Sequence, residues 1–81
     1  MSVMLYALST CPYCRMTKKY LDDNEVEYDA IDVDLLEGDE RTTVVAEVKR
    51  LSGGTSFPVL LVGDEVIVGF NKAAMKKQLD L

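Results

Sequence analysis

The hydrophobic positions of this 81-residue chain change their spacing several times along its length. The run VMLYAL at 3–8 is short and continuously apolar, which is typical of a buried strand. From Tyr13 the pattern turns helical, after Pro12 at a position suited to the first helical residue, and Asn24 is a suitable stop. The helix carries two neighbouring apolar stripes: Tyr13, Met16 and Tyr20, and Cys14, Thr17 and Leu21.

The middle of the chain predicts a second strand and a second helix. VEYDAIDVD at 26–34 mixes β-branched and aromatic residues in near alternation, which favours a strand. Residues 37–52 have helical spacing, and Gly53 and Gly54 end the helix. Its apolar face consists of Val44, Val45, Val48 and Leu51.

The last third predicts a hairpin and a short helix. PVLLV at 58–62 and VIVG at 66–69 are strands joined by a tight turn. Asn71 is expected to cap a last helix, with Ala74, Met75 and Leu79 facing inward.

The predicted order β-α-β-α-β-β-α defines the fold class. A strand–helix–strand crossover makes the first two strands parallel, whereas the hairpin strands are antiparallel. We therefore expect a single α/β domain over 1–81, with a four-stranded mixed sheet and three helices, in a thioredoxin-like fold.

Charge is distributed unevenly along the chain, whose formal net charge is -5. Residues 1–21 carry Arg15, Lys18 and Lys19 and no acid, whereas 22–40 carry ten acidic residues and no base. A nucleic-acid-binding protein needs a basic surface, so that class is disfavoured. The acidic run is interpreted as a solvated face, and partner docking is the alternative.

Both cysteines lie in CPYC at 11–14, where the first helix begins. Cysteines at i and i+3 on a first helical turn lie within the Cα separation of roughly 4.4–6.8 Å that a disulfide requires. The unpaired N–H groups and the dipole of the helix N-terminus favour thiolate at Cys11, and the nearby cations should add to this effect. We expect Cys11 to attack a disulfide and the more shielded Cys14 to resolve the mixed disulfide, with Pro12 and Tyr13 shaping the turn.

Other functions of the two cysteines are less well supported by the sequence. A structural zinc site requires four ligands, and this chain offers two cysteines and no histidine. Metal binding would need a dimer or an external thiol, most simply as a shared 2Fe–2S cluster between two Cys11 thiolates. A buried structural pair does not explain why the cysteines lie at a helix start.

Two downstream features are predicted to border the dithiol. Pro58 opens the third strand, and beside a CxxC site we expect the Phe57–Pro58 bond to be cis, with the backbone of Phe57 free to pair with a peptide. Gly69 follows the fourth strand and permits close approach, and Phe70 is either a core residue or a partly exposed contact.

With CPYC, SFP at 56–58 and Gly69 in place, the chain resembles a glutaredoxin over essentially its whole length. The resemblance implies a thiol–disulfide oxidoreductase acting on protein disulfides or glutathione mixed disulfides, without a tightly bound cofactor or metal. It implies that Ser56, Phe57, Gly69, Phe70 and Asn71 contact the substrate or glutathione.

The sequence departs from this pattern at two glutathione contacts. Leu8 stands where glutathione-using members usually carry Lys, so Arg15 or Lys18 would have to substitute. The motif after the last strand is Gly69-Phe70-Asn71-Lys72 rather than Gly-Gly followed by Asp. The stretch 57–79 resembles the NrdH-type redoxins, which thioredoxin reductase reduces and which serve ribonucleotide reductase. The electron source, glutathione or such a reductase, stays open.

Location and assembly are expectations of the same kind. The residues before Cys11 lack the basic start and long apolar core of a signal peptide, and no run is long enough to span a membrane. We expect a cytoplasmic monomer that binds neither nucleic acid nor membrane.

Overall fold

A computed structural model of the chain describes residues 2–54 and 56–81. The elements follow the predicted order, with one short 3-10 helix added after the second strand. The strands are β1 (Val3–Ala7), β2 (Asp29–Asp32), β3 (Val59–Val62) and β4 (Glu65–Val68). The helices are α1 (Pro12–Asp23), α2 (Gly38–Ser52) and α3 (Lys72–Gln78), and the 3-10 helix covers Val33–Leu35.

The sheet has the strand order β2-β1-β3-β4 and mixed direction. β1 is parallel to β2 and antiparallel to β3, and β3 is antiparallel to β4. Gly63 opens the two-residue turn between β3 and β4 with φ of 58°, which glycine adopts without a Cβ clash. The predicted mixed four-stranded sheet with three helices is confirmed.

Alternation along the strands builds a core on each face of the sheet. On one face, Leu5, Ala7 and Leu60 join Leu21 of α1 and Met75 of α3 in a fully or almost fully buried cluster. On the other face, Tyr6 and Val59 pack with Val33 and with Val48 of α2. The result is a sheet between two helical layers, as in other α/β domains.

The second strand is shorter than 26–34. The Val26 N–H bonds to the Leu21 carbonyl and completes the exit from α1, so strand pairing begins only at Asp29. At the other end the Leu36 N–H bonds to the Val33 carbonyl, which turns the chain into the 3-10 helix. The alternating pattern therefore overestimated the length of the strand, because the residues at both of its ends form local turns instead of strand pairs.

Candidate dithiol site

Cys11 occupies the N-cap of α1 in extended backbone conformation, immediately before Pro12 at the first helical position. Its Sγ accepts a hydrogen bond from the Cys14 N–H at 3.3 Å, and so fulfils the role that Ser or Asp plays at most helix starts. The residue is half-buried, and both cysteines are free thiols in this structure. The Cys11 sulfur therefore lies at the end of α1 where the backbone N–H groups have no acceptor within the helix.

Cys14 lies one turn further on and is fully buried in the core between α1, α3 and the sheet. Burial, with a contribution from the hydrogen bond to Cys11, raises the pKa of Cys14 to about 11. Two groups oppose the rise: the Leu8 N–H, which points at Sγ from 3.5 Å, and the charge of Lys18. Cys14 is therefore a protonated thiol at neutral pH, whereas Cys11 is the accessible sulfur.

The turn that leads into the helix holds both cysteines. We use the name dithiol turn for residues 8–14. The Cys11 N–H bonds to the Leu8 carbonyl at 3.2 Å and closes the turn, while the Leu8 N–H contacts the Cys14 sulfur. Ser9, within the turn, is bound by the carboxylate of Asp34.

Strand register brings the proline edge, defined as residues 56–58, to the same end of the sheet. Tyr6 pairs with Val59, so the residues before β3 run alongside those that follow β1. The Phe57–Pro58 bond is cis, as predicted, and Pro58 is buried. Among the described residues, none bonds to the N–H or the C=O of Phe57.

Gly69 lies at the same end, because Val68 pairs with Val59 and the Gly69 N–H donates to the Pro58 carbonyl at 2.7 Å. Its φ of 81° lets the chain leave β4 and turn into α3. Asn71 then caps α3 through its Oδ1, which accepts from the Ala74 N–H at 3.0 Å. The predicted cap is confirmed, and the substrate or glutathione contact expected of Asn71 stays a prediction.

The prediction of cations without acidic partners beside the dithiol is wrong for two of the three residues. Lys18 forms an ion pair with Asp32 at the end of β2, with N and O atoms 2.9 Å apart. Lys19 pairs with Asp23 one turn along α1. Arg15 is exposed and places its guanidinium 3.5 Å from the Ser9 carbonyl. Tertiary folding thus gives Lys18 a partner that is distant in sequence.

The acidic run 22–40 is not uniformly solvated. Asp32 and Asp34 are half-buried and bind Lys18 and Ser9. Sequence reasoning missed Asp34 as a site residue, since an acid within an acidic run gives no distinguishing signal. Its position at the end of the predicted strand 26–34, which is parallel to the strand before CPYC, was the available hint.

The two predicted stripes of α1 have different environments. Cys14, Thr17 and Leu21 are buried, whereas Tyr13 is 60% exposed and Met16 is 45% exposed. Tyr20 and Phe70 are half-buried and meet edge to face, with ring centroids 6.5 Å apart. Phe70 packs on the core, as one of its two predicted roles requires, and its exposed part borders a shallow groove of about 200 Å³. Its contact with a substrate beside the dithiol stays a prediction. The groove is lined by Met16, Lys19, Tyr20, Asp23, Phe70 and Lys72.

Residues 2–54 and 56–81 contain no cluster of three or more His, Cys, Asp or Glu side chains arranged to hold a metal ion. No helix in this part of the chain has the length and apolar character needed to cross a membrane.

Sequence relatives place these features in a family. The family model named Glutaredoxin matches residues 3–67, which include the dithiol turn and the proline edge. An uncharacterized glutaredoxin-like 8.6 kDa protein in the rubredoxin operon of Clostridium pasteurianum is 31% identical over 78 residues, covering 96% of this chain and 97% of the relative. A glutaredoxin-like protein NrdH from Lactococcus lactis is 29% identical over 93% of this chain and 96% of its own length.

Solved structures agree. The glutaredoxin of Archaeoglobus fulgidus superposes with a TM-score of 0.92 and 38% identity, over 96% of this chain and 85% of that one. The methanoredoxin of Methanosarcina acetivorans superposes with a TM-score of 0.94 and 34% identity, over 99% of this chain and 85% of that one. The NrdH-redoxin of Escherichia coli superposes with a TM-score of 0.75 and 26% identity, over 95% of this chain and 93% of that one. On the match to the family model, together with the dithiol turn and the cis-proline edge, the chain belongs to the glutaredoxin family.

Proposed function

We propose that this protein is a thiol–disulfide oxidoreductase that reduces protein or mixed disulfides through Cys11 and Cys14. The observation that carries the proposal is the asymmetry of the pair. An accessible sulfur caps a helix N-terminus, and a buried thiol with a raised pKa lies one turn away. This arrangement separates an attacking thiol from a resolving thiol.

The reaction proceeds in two exchanges. The Cys11 thiolate attacks one sulfur of a substrate disulfide, forms the mixed disulfide and releases the other substrate thiolate, which takes a proton from water. The Cys14 sulfur then attacks the Cys11 sulfur and releases the second substrate thiolate, which takes up the proton that Cys14 gives up. Two electrons have passed to the substrate, and the protein is left with a Cys11–Cys14 disulfide.

The proline edge is proposed to hold a peptide substrate. An extended peptide can pair as an added strand with the N–H and C=O of Phe57, which bond to none of the residues that the structure describes. Pro58 and Gly69 are already bonded to each other, so the edge stays in place beside the dithiol. Ser56 is exposed and Phe70 is half-buried, and both are proposed to contact the bound peptide.

A second candidate concerns the electron source. Leu8 packs against the core cluster on the α2 side of the sheet, as the alternation Met4, Tyr6, Leu8 requires. It therefore offers no charge for a glutathione carboxylate, and Lys18 is engaged by Asp32. This favours an NrdH-like electron donor, fed by a thioredoxin-reductase-type enzyme and serving ribonucleotide reductase. The E. coli NrdH-redoxin, whose activity profile is thioredoxin-like, supports that candidate.

A paired reduction assay tests both candidates. The oxidised protein is supplied with NADPH and either glutathione with glutathione reductase, or thioredoxin reductase alone. Turnover only in the first system identifies a glutathione-fed glutaredoxin, and turnover only in the second an NrdH-like donor. Cys11→Ser is the inactive control. If neither system reduces the oxidised protein, both proposed electron sources are wrong, and a brown dimer on anaerobic purification would support the iron–sulfur alternative.

A further inference from the structure

Asp34 is brought beside the dithiol turn by the parallel pairing of two strands. Ala7, the last residue of β1, pairs with Asp32, the last residue of β2. Because parallel strands end at the same edge of a sheet, the residues two positions further on also meet. Those residues are Ser9, inside the dithiol turn, and Asp34, inside the 3-10 helix.

The contact uses both oxygens of the carboxylate. The Ser9 N–H donates to Oδ1 at 2.8 Å, and the Ser9 hydroxyl donates to Oδ2 at 2.5 Å. These hydrogen bonds, with the charge of Arg41 on α2 adding to them, hold the pKa of Asp34 below its ordinary value. Asp34 is therefore ionised at neutral pH, and charge-assisted bonds of this kind are stronger than neutral ones.

Ser9 adjoins the residue that contacts both cysteines. The Leu8 carbonyl accepts from the Cys11 N–H, and the Leu8 N–H points at the Cys14 sulfur from 3.5 Å. A hydrogen bond to the sulfur favours its charged form and lowers the pKa of Cys14. Arg15 also contacts Ser9, but with a single weak bond of 3.5 Å on an exposed side chain. Asp34 is thus the principal side-chain support of the turn.

We propose that Asp34 is a positioning residue for the resolving cysteine: by holding Ser9, it keeps the Leu8 N–H on the Cys14 sulfur and speeds the second thiol exchange. This proposal rests on the proposed dithiol function and assigns a role within the same site. Cys14 is faced by Cys11, Lys18 and the Leu8 N–H, and the last of these belongs to the residue that adjoins Ser9 in the chain.

The size of the effect follows from thiol chemistry. When the pKa of a thiol rises by one unit, its thiolate fraction near neutral pH falls about tenfold. The remaining thiolate is about threefold more nucleophilic, because nucleophilicity follows the pKa with a Brønsted coefficient of about 0.4–0.5. Each unit by which the Cys14 pKa rises therefore slows resolution about threefold.

The test uses Ellman's reagent, which separates the two exchanges in one stopped-flow trace. Attack by Cys11 releases one chromophore in a phase whose rate depends on reagent concentration. Resolution by Cys14 releases the second in a first-order phase. The variants are Asp34→Ala and Asp34→Asn, and the matched control is Asp29→Asn. Asp29 is an exposed acid at the other end of β2, about 10 Å from Asp32, and carries the same charge.

In Asp34→Ala we expect the second phase to slow, about threefold for each unit by which the Cys14 pKa rises, and its pH profile to move upward. The first phase should change less than twofold. Asp34→Asn keeps an acceptor for the Ser9 N–H and should recover part of the rate. Asp29→Asn should match the wild type in both phases. A role confined to folding would lower the melting temperature without moving the pH profile of the second phase.

Ser9→Ala supplies an independent variant if Asp34→Ala does not fold. It removes only the hydroxyl bond and should slow the second phase by less than Asp34→Ala. The double variant should be no slower than Asp34→Ala alone, since both changes break one contact. A folded Asp34→Ala, or Ser9→Ala in its absence, whose second phase and pH profile equal those of the wild type would overturn the proposal. The paired reduction assay uses neither Ellman's reagent nor these variants, so failure of the proposed function is detected separately.

Discussion

The dithiol turn and the proline edge meet at one end of the sheet but differ in how far their backbone groups are hydrogen-bonded. In the turn, Cys11 bonds to Leu8, Leu8 to the Cys14 sulfur and Ser9 to Asp34. At the edge, Phe57 has neither backbone group bonded to any of the described residues. The two cysteines are therefore held by bonds within the chain, while the backbone of Phe57 bonds to none of the described residues. In the proposed function, chemistry and recognition are divided between these two segments, which are distant in sequence.

The largest expected effect comes from replacing the cysteines of the dithiol turn. Cys11→Ser should abolish disulfide reduction, because the buried, protonated Cys14 cannot replace an accessible sulfur. Cys14→Ser should retain attack and accumulate mixed disulfides, which mass spectrometry detects. Disulfide reductase activity at the wild-type rate in Cys11→Ser would disprove the assignment of roles.

The raised pKa of Cys14 can be measured directly and tests its assignment as the buried, protonated thiol of the pair. Its rise from 9.0 to about 11 makes its thiolate fraction about 100-fold lower than that of an ordinary cysteine near neutral pH. Because the fold favours the protonated thiol, this contribution to the stability of the reduced protein is complete below pH 9 and is lost as the pH rises through 11. The Cys14 Cβ chemical shift, followed against pH by NMR, should show the raised value. In Cys11→Ala the value should fall but stay above 9.0, since burial is the larger cause; titration at 9.0 in the wild type would contradict this reading of the site.

Hydrogen exchange tests the open backbone of the proline edge. When a peptide is trapped on Cys11 in Cys14→Ser, the Phe57 amide should exchange about tenfold more slowly than in the free protein, because it gains a bonded partner. The Cys11 amide is already bonded to Leu8 and serves as the internal control. Equal exchange of Phe57 in both states would mean that the peptide does not pair with this edge.

The variant Leu8→Lys tests whether a lysine at this position of the dithiol turn adds glutathione binding. A lysine–carboxylate contact at a partly exposed site contributes on the order of 1 kcal/mol, which corresponds to about a fivefold lower KM for glutathione. The rate with thioredoxin reductase should stay unchanged. Leu8→Met, which is apolar and of similar size, is the control for repacking on the α2 side. An unchanged KM would indicate that the position does not face bound glutathione.

Asn71→Ala has the smallest expected effect on activity. Loss of the α3 cap should lower the free energy of unfolding by about 1 kcal/mol, as measured by urea denaturation. Activity should change less than twofold, because Oδ1 is already bonded to the Ala74 N–H. Asn71→Asp preserves the cap and should restore stability. A large loss of activity without a loss of stability would instead place Asn71 in substrate binding.

Local patterns were enough to predict the fold and the centre of the site. Apolar spacing predicted the four strands and three α-helices of the described residues, but not the 3-10 helix over Val33–Leu35. Asn71 and Asn24 were correctly placed at helix ends. The position of CPYC at a helix start predicted which sulfur is accessible and which is buried. These features depend on neighbours within about one helical turn, so the order of residues contains them.

The surroundings of the dithiol needed the folded chain. Asp34 and Ser9 are 25 residues apart, and Lys18 and Asp32 are 14 apart, so neither contact leaves a local pattern. Parallel pairing of β1 with β2 brings Asp34 to Ser9, and the packing of α1 on the sheet brings Lys18 to Asp32. The strand register also aligns Pro58 and Gly69 beside the turn. An acid in a solvated run and an acid that supports a reacting sulfur look identical in sequence. They differ because strand register brings one of them against the dithiol turn and leaves the other in water.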